Sequence, residues 1–138
     1  MNTDRQLPHL IELPQFLDDR GNLSALQEGD QIPFQSRRIY WIYDVPGGQI
    51  RGSHGFRNTQ EIVIALSGSF DVVLHDGHTE SIFPLNRSYT ALYVPQLVWR
   101  TLRNFSTNSV ALILASTEYD ETDYIRDFDE FRDLVRRA

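Results

Sequence analysis

The stretch from Gly48 to Gly68 carries the residues best suited to chemistry. It runs Gly48, five residues, His54, one residue, Phe56, four residues, Glu61, six residues, Gly68. An imidazole and a carboxylate can ligate a metal or move a proton. Transition metals are held well where three or four such groups converge. Histidine alone has an unperturbed side-chain pKa near neutrality, which suits it to proton transfer. His54 is the histidine inside this stretch. His9 lies in the N-terminal arm, and His75 and His78 flank Asp76-Gly77. The plainer alternative for His54 is a hydrogen-bonded core histidine. For Glu61 it is a solvated or ion-paired strand residue, and without a metal that plainer alternative is preferred.

Composition narrows the classes. A chain of 138 residues is the size of one ordinary domain, here 1–138, and buries roughly two thirds of its unfolded surface without staples. There is no cysteine, which excludes disulfides, thiol catalysis and Cys-ligated zinc. The formal net charge of −6 argues against nucleic acid as a partner, since phosphate-backbone binders show a basic excess. No apolar run approaches the length of a membrane-spanning helix, so no membrane partner is expected. Met1–Arg5 lacks a signal peptide's apolar stretch, so a cytoplasmic location is expected. All thirteen basic residues are arginine, whose planar guanidinium suits phosphates.

The elements that must position these residues read as short strands between turn signals. Pro33-Phe34, Pro46-Gly47-Gly48, Ser67-Gly68-Ser69, Asp76-Gly77 and Pro84-Leu85-Asn86 punctuate the chain, the pattern of an all-β sandwich or barrel. Strands are predicted over Arg38–Tyr43, Glu61–Leu66, Phe70–His75, Ser88–Val94, Val98–Leu102 and Ser109–Ser116, rich in residues that fit a pleated surface. Phe70–Gly77 reads as the first arm and turn of a hairpin, with Asp76-Gly77 supplying positive φ. Val110–Ala115 is apolar throughout, as in a strand buried on both faces. Near the end, Thr122 or Asp123 is predicted to cap a helix through Ile125, Phe128, Phe131, Leu134 and Val135. A β-barrel with a short C-terminal helix is the expected architecture.

The spacing from Gly48 to Gly68 resembles the first cupin motif, with Phe56 where a second histidine stands. Pro95, Leu97, Arg100 and Asn104 resemble the second motif, with Leu97 replacing a glycine and Arg100 a metal-binding histidine. The resemblance implies an all-β cupin jelly-roll barrel. Of the four usual metal ligands His54 and Glu61 remain, while Phe56 cannot ligate and Arg100 brings a positive charge. A barrel without a metal is therefore expected, with a pocket for an anionic or polar organic ligand. A metal-dependent oxygenase is disfavoured on the same ground.

Over nearly its whole length the chain resembles the sugar-nucleotide 3,4-ketoisomerases, the WxcM-like cupins. The resemblance rests on Asp18–Leu23, Ile32–Phe34, Arg38–Tyr43, Arg51–His54, Leu66–Ser69, Leu92–Pro95 with Val98-Trp99, and Leu114–Ser116. Its most specific part is Tyr119–Arg126, reading Y-D-E-T-D-Y-I-R. The resemblance implies an isomerase that moves the keto group of dTDP-4-keto-6-deoxyglucose from C4 to C3 by acid/base transfer, without a cofactor, as a homodimer. It assigns His54 as the base and Tyr40 as partner acid or hydrogen-bond donor. Arg51, Arg38 and Arg100 are candidates for the diphosphate, and Trp99 for thymine. Phe56 could stack on a sugar face. Arg20 and Arg100 fall at positions that vary with the C4 configuration of the product, and their pairing here is mixed. For Tyr40 a barrel-wall aromatic, for the arginines surface ion pairs and for Trp99 a core tryptophan remain the alternatives. A non-catalytic sugar-nucleotide or carbohydrate-binding cupin is the alternative function.

Overall fold

The apolar runs become strands whose alternate side chains face opposite sides. The computed structural model describes residues 6–137. Among them the strands are β1 (His9–Glu12), β2 (Gln15–Asp18), β3 (Gly21–Ser24), β4 (Arg38–Tyr43), β5 (Arg51–Phe56), β6 (Glu61–Ser67), β7 (Phe70–His75), β8 (Glu80–Leu85), β9 (Thr90–Val94), β10 (Trp99–Arg103), β11 (Val110–Ala115) and β12 (Tyr124–Ile125). Helix α1 spans Phe128–Arg137. One sheet has the order β1-β9-β6-β11-β4, a second β12-β5-β10-β7-β8, and β2 and β3 form a separate hairpin. Pairing is antiparallel throughout these sheets. The hydrogen-bonded ladders remain two sheets, a jelly-roll sandwich, and are not joined into one closed barrel.

Alternation explains the core. Val63 and Ala65 of β6 and Ala111 and Ile113 of β11 join Val72, Leu74, Leu92 and Leu102 in the principal core. Ile62, Ile64 and Leu114 point the other way, under Leu13 and Ile32. Covering on both faces is why β6 and β11 read as continuous apolar runs. A third cluster joins Ile125, Phe131 and Val135, with Trp99 and Phe128 packed against it.

Two turns require an unusual backbone. Gly68 has φ +68, and a Cβ there would lie 2.8 Å from Ser109 Cα, so only glycine fits. Leu97 has φ +59, an αL conformation that costs a non-glycine residue about 1–2 kcal/mol. That glycine-favouring backbone explains why the resembling motif carries glycine there. Leu97 N–H donates to the Phe56 carbonyl at 2.8 Å, tying the entry of β10 to the end of β5.

Two predicted strands, Arg38–Tyr43 and Phe70–His75, form with the predicted ends and the other four with shifted ends, while β1, β2, β3, β5, β8 and β12 lie outside the six predicted runs. The C-terminal segment corrects the predicted helix. Ile125 is in β12, paired with Gly55, and Glu121–Asp123 forms a single 3-10 turn. Asp123 does not cap α1. Its carboxylate accepts from Asn58 N–H at 2.8 Å, Thr59 N–H at 3.2 Å and the Thr59 hydroxyl, fixing the loop between β5 and β6. Asp127 takes the capping role, accepting Asp129 N–H at 3.1 Å. Among the described residues no helix is long and apolar enough to cross a membrane.

Candidate active site

β4 and β6 of one sheet, and β5 and β10 of the other, aim polar side chains into the space between the sheets. Tyr40 comes from β4, Glu61 from β6, His54 from β5 and Arg100 from β10. Arg100 and His54 face one another across the β10–β5 ladder, next to a register shift. Gly52, with φ +65, allows the close fit. A Cβ there would overlap Arg100 Nη1 and would lie 3.4 Å from its Cζ and 3.7 Å from His54 Nε2. The two reactive groups therefore flank the same bare backbone.

Glu61 is 1 % exposed and Arg100 2 %. Arg100 Nε donates to Glu61 Oε1 at 2.5 Å, and its Nη2 donates to the Tyr40 hydroxyl at 2.7 Å. Tyr40 in turn donates to Glu61 Oε2 at 2.5 Å. These three residues form one closed hydrogen-bonded ring that bridges both sheets. The carboxylate is thus ion-paired and buried rather than solvated. Burial drives the Tyr40 phenol well above its ordinary pKa, with Glu61 adding to the rise and Arg100 opposing it. Tyr40 remains a neutral phenol whose single proton is already directed at Glu61.

His54 is 7 % exposed. Burial pushes its pKa down to about 3, with the charges of Arg100, Arg126 and Arg38 adding to the fall and Glu121 opposing it. The imidazole is neutral, with its lone pair available, rather than poised near neutrality as its residue type suggests. Its ring meets Phe56 and Tyr124 edge-on, centroids 4.8 and 4.9 Å apart. Phe56 also meets Tyr124 at 4.7 Å. Phe56 is thus a buried wedge between two rings, with little surface left to stack on a sugar.

Three polar atoms at this site are buried with no hydrogen-bond partner among the described residues: His54 Nδ1, Arg100 Nη1 and Arg38 Nε. Buried polar atoms are normally paired, and these three lie in one neighbourhood. Arg38 stacks over Tyr40 and Tyr119, its guanidinium carbon 5.4 and 5.5 Å from the ring centres.

The other expected site residues lie apart. Arg20 is exposed on the β2–β3 turn and pairs with Asp18 at 2.6 Å. Arg51 is exposed at the start of β5. Trp99 faces away from Arg100 and packs on Phe128 and Phe131, centroids 5.4 and 5.7 Å away, so it anchors α1 rather than lining this site. Arg100, expected to meet a diphosphate, has Nε and Nη2 committed within the protein and only Nη1 uncommitted. Two contributors had no assigned role in the sequence. Tyr124 sits on β12 opposite Phe56, and Arg126 lies 4.4 Å over the Tyr124 ring while gripping Glu121 through Nε and Nη2 at 2.9 and 3.1 Å. Both belong to the Tyr119–Arg126 run, the signal that could have found them.

Residues 6–136 match a family model described as FdtA: WxcM-like, C-terminal. A TDP-4-oxo-6-deoxy-alpha-D-glucose-3,4-oxoisomerase from Aneurinibacillus thermoaerophilus is 37 % identical over 128 residues, covering 93 % of this chain and 92 % of the relative. The crystal structure of a 3,4-ketoisomerase from Helicobacter canadensis superposes with a TM-score of 0.91 at 38 % identity, over 94 % of this chain and 97 % of that one. The sugar 3,4-ketoisomerase QdtA from Thermoanaerobacterium thermosaccharolyticum, in complex with TDP, gives a TM-score of 0.92 at 35 % identity, over 94 % and 95 %.

Proposed function

The chain belongs to the FdtA, WxcM-like family, and from that premise we propose that it moves the keto group of TDP-4-keto-6-deoxyglucose from C4 to C3 in deoxysugar biosynthesis. The isomerase class follows from its relatives. The substrate reading is supported by the relative named TDP-4-oxo-6-deoxy-alpha-D-glucose-3,4-oxoisomerase and by the QdtA variant crystallised with TDP-4-keto-6-deoxyglucose. The supporting observation is the trio of buried, unpartnered atoms on His54, Arg100 and Arg38, which fits an oxygen-rich anionic ligand between the sheets.

The reaction transfers one hydrogen from C3 to C4 and one proton from O3 to O4. No electrons leave the sugar, so no redox cofactor is needed. Neutral His54 takes the C3 proton, leaving an enediolate. Arg100 Nη1 stabilises the charge on O4, as a fixed donor in a dry site does. Protonated His54 then delivers the proton to C4. The donor set suits this chemistry better than a metal, because Arg100 already neutralises Glu61 and Phe56 offers no ligand. Arg38, whose Nε has no partner among the described residues, is the better candidate for the diphosphate. Following the conversion of TDP-4-keto-6-deoxyglucose to its 3-keto isomer by NMR tests the proposal. A non-catalytic sugar-nucleotide binder is the second reading, motivated by Phe56 in place of a second histidine.

The low pKa of His54 has a pH consequence. The folded value, about 3, lies below the ordinary 6.5, so the unfolded chain binds this proton first. The group's contribution to stability is present above the ordinary value and is lost as pH falls from 6.5 toward 3. In the free enzyme, kcat/KM should show no histidine ionisation between about pH 5 and about pH 8. An acid limb centred near 6.5 would contradict the neutral, buried base.

A homodimer is also proposed. Among the described residues β4 is an edge strand of its sheet, and Ile39, Trp41 and Tyr43 on its outer face are 57 %, 58 % and 60 % exposed. An apolar edge of this kind calls for a cover. Light scattering should give twice the 16.0 kDa chain mass, and the single mass at micromolar concentration would overturn the dimer.

A further inference from the structure

The Tyr40 hydroxyl has one hydrogen and two lone pairs. Its hydrogen goes to Glu61 Oε2 at 2.5 Å, and one lone pair accepts Arg100 Nη2 at 2.7 Å. What it can offer a ligand is the remaining lone pair, so it meets a sugar hydroxyl as an acceptor. Glu61 accepts from Arg100 Nε through its other oxygen. Isomerisation needs a group that removes the O3 proton and a group that later protonates O4. A phenol whose hydrogen points away from the sugar can take the first proton only by passing its own onward.

We propose that Glu61 is a positioning residue that receives the hydroxyl proton relayed through Tyr40 and returns it for delivery to O4. The inference rests on the isomerase reading above. At the enediolate stage the O3–H bond breaks and its proton bonds to Tyr40 Oη, while the original Tyr40 proton moves to Glu61 Oε2. O3 forms its double bond to C3, and the C3–C4 electron pair takes the proton held by His54 at C4. The relay then reverses: Glu61 gives its proton to Tyr40, and Tyr40 gives one to O4. Both oxygens and both carbons balance, and Glu61 and Tyr40 end as they began. Arg100 keeps the carboxylate ionised between turnovers and holds the phenol in line.

Glu61→Gln tests the relay, because an amide cannot take and return this proton. With its carbonyl toward Arg100, its NH2 group faces Tyr40 and reverses that hydrogen bond. The variant should lose about 100-fold or more in kcat, within the range of a positioned acid/base group, with TDP affinity changed less than threefold. Tyr40→Phe should lose a similar factor, and Tyr40→Phe with Glu61→Gln no more than Tyr40→Phe alone. A multiplicative loss in the double variant, or near-native kcat in Glu61→Gln, overturns the relay. Should Glu61→Gln fail to fold, a proton inventory of native kcat in mixtures of H2O and D2O decides. Two protons in flight give a curved plot, and a linear plot overturns the relay. A native chain that binds TDP but does not isomerise overturns the isomerase reading and the relay together. Native turnover with a multiplicative loss in the double variant overturns the relay alone.

Discussion

His54→Asn is expected to isomerise the keto sugar roughly 10²–10⁴-fold more slowly than the native chain, the usual worth of a positioned acid/base group. TDP affinity should change little. Asparagine approximates the shape of the ring but cannot take a carbon-bound proton. The imidazole it replaces is held by Phe56 and Tyr124 and lies beside Arg100 Nη1 across the bare backbone of Gly52. His75 and His78 sit at the β7–β8 turn, where Asp76 accepts the His78 and Thr79 amides at 2.8 Å. His75→Asn and His78→Asn should therefore remain near native in turnover. Native-like kcat in His54→Asn would remove the base from the mechanism.

Arg100→Met is expected to have the largest effect on stability. It leaves Glu61 as a carboxylate 1 % exposed, with Tyr40 as its remaining partner. Breaking a buried pair by removing one member typically costs about 3–5 kcal/mol, because the other charge stays buried and uncompensated. Single domains have only about 5–15 kcal/mol in total, so the denaturation midpoint should fall far. Adding Glu61→Gln removes the stranded charge and should restore part of the loss. A cost below about 1 kcal/mol for Arg100→Met, the range of an exposed pair, would contradict the buried ring of Arg100, Glu61 and Tyr40.

Much of the fold was legible because it follows from alternation and local chemistry. β11 is apolar throughout, so it announced itself as a strand covered on both faces, and the apolar run of β6 marked it as a strand. β5 did not, because Arg51-Gly52-Ser53-His54-Gly55-Phe56 has two glycines and polar residues where a strand usually shows β-branched ones. Those glycines serve close approach: Gly52 to Arg100, and Gly55 to Phe131, whose Cδ1 would lie 3.0 Å from a Cβ. The C-terminal helix began too early in the sequence reading because Asp123 has a capping residue's chemistry. Its carboxylate is used instead by a loop more than sixty residues away in sequence.

The site was legible in residue type and not in partnership. His54, Tyr40 and Arg100 converge, yet no spacing rule shows that Glu61 lies against both Tyr40 and Arg100, since that contact spans three strands in two sheets. The fall in the His54 pKa was not legible for the same reason. An unperturbed value describes an exposed imidazole, and burial among arginines depends on the tertiary fold. Arg20 and Trp99 stand apart from His54 in this chain, Arg20 on the β2–β3 turn paired with Asp18 and Trp99 packed under α1, placements that no motif match states.

The most direct test of the isomerase function is to incubate the native chain with TDP-4-keto-6-deoxyglucose in D2O and follow the hexose by NMR. The 3-keto isomer should accumulate with the native chain and not with His54→Asn over the same period. Tight binding of TDP with no isomer formed and no deuterium entering at C3 would contradict it and leave a sugar-nucleotide binder.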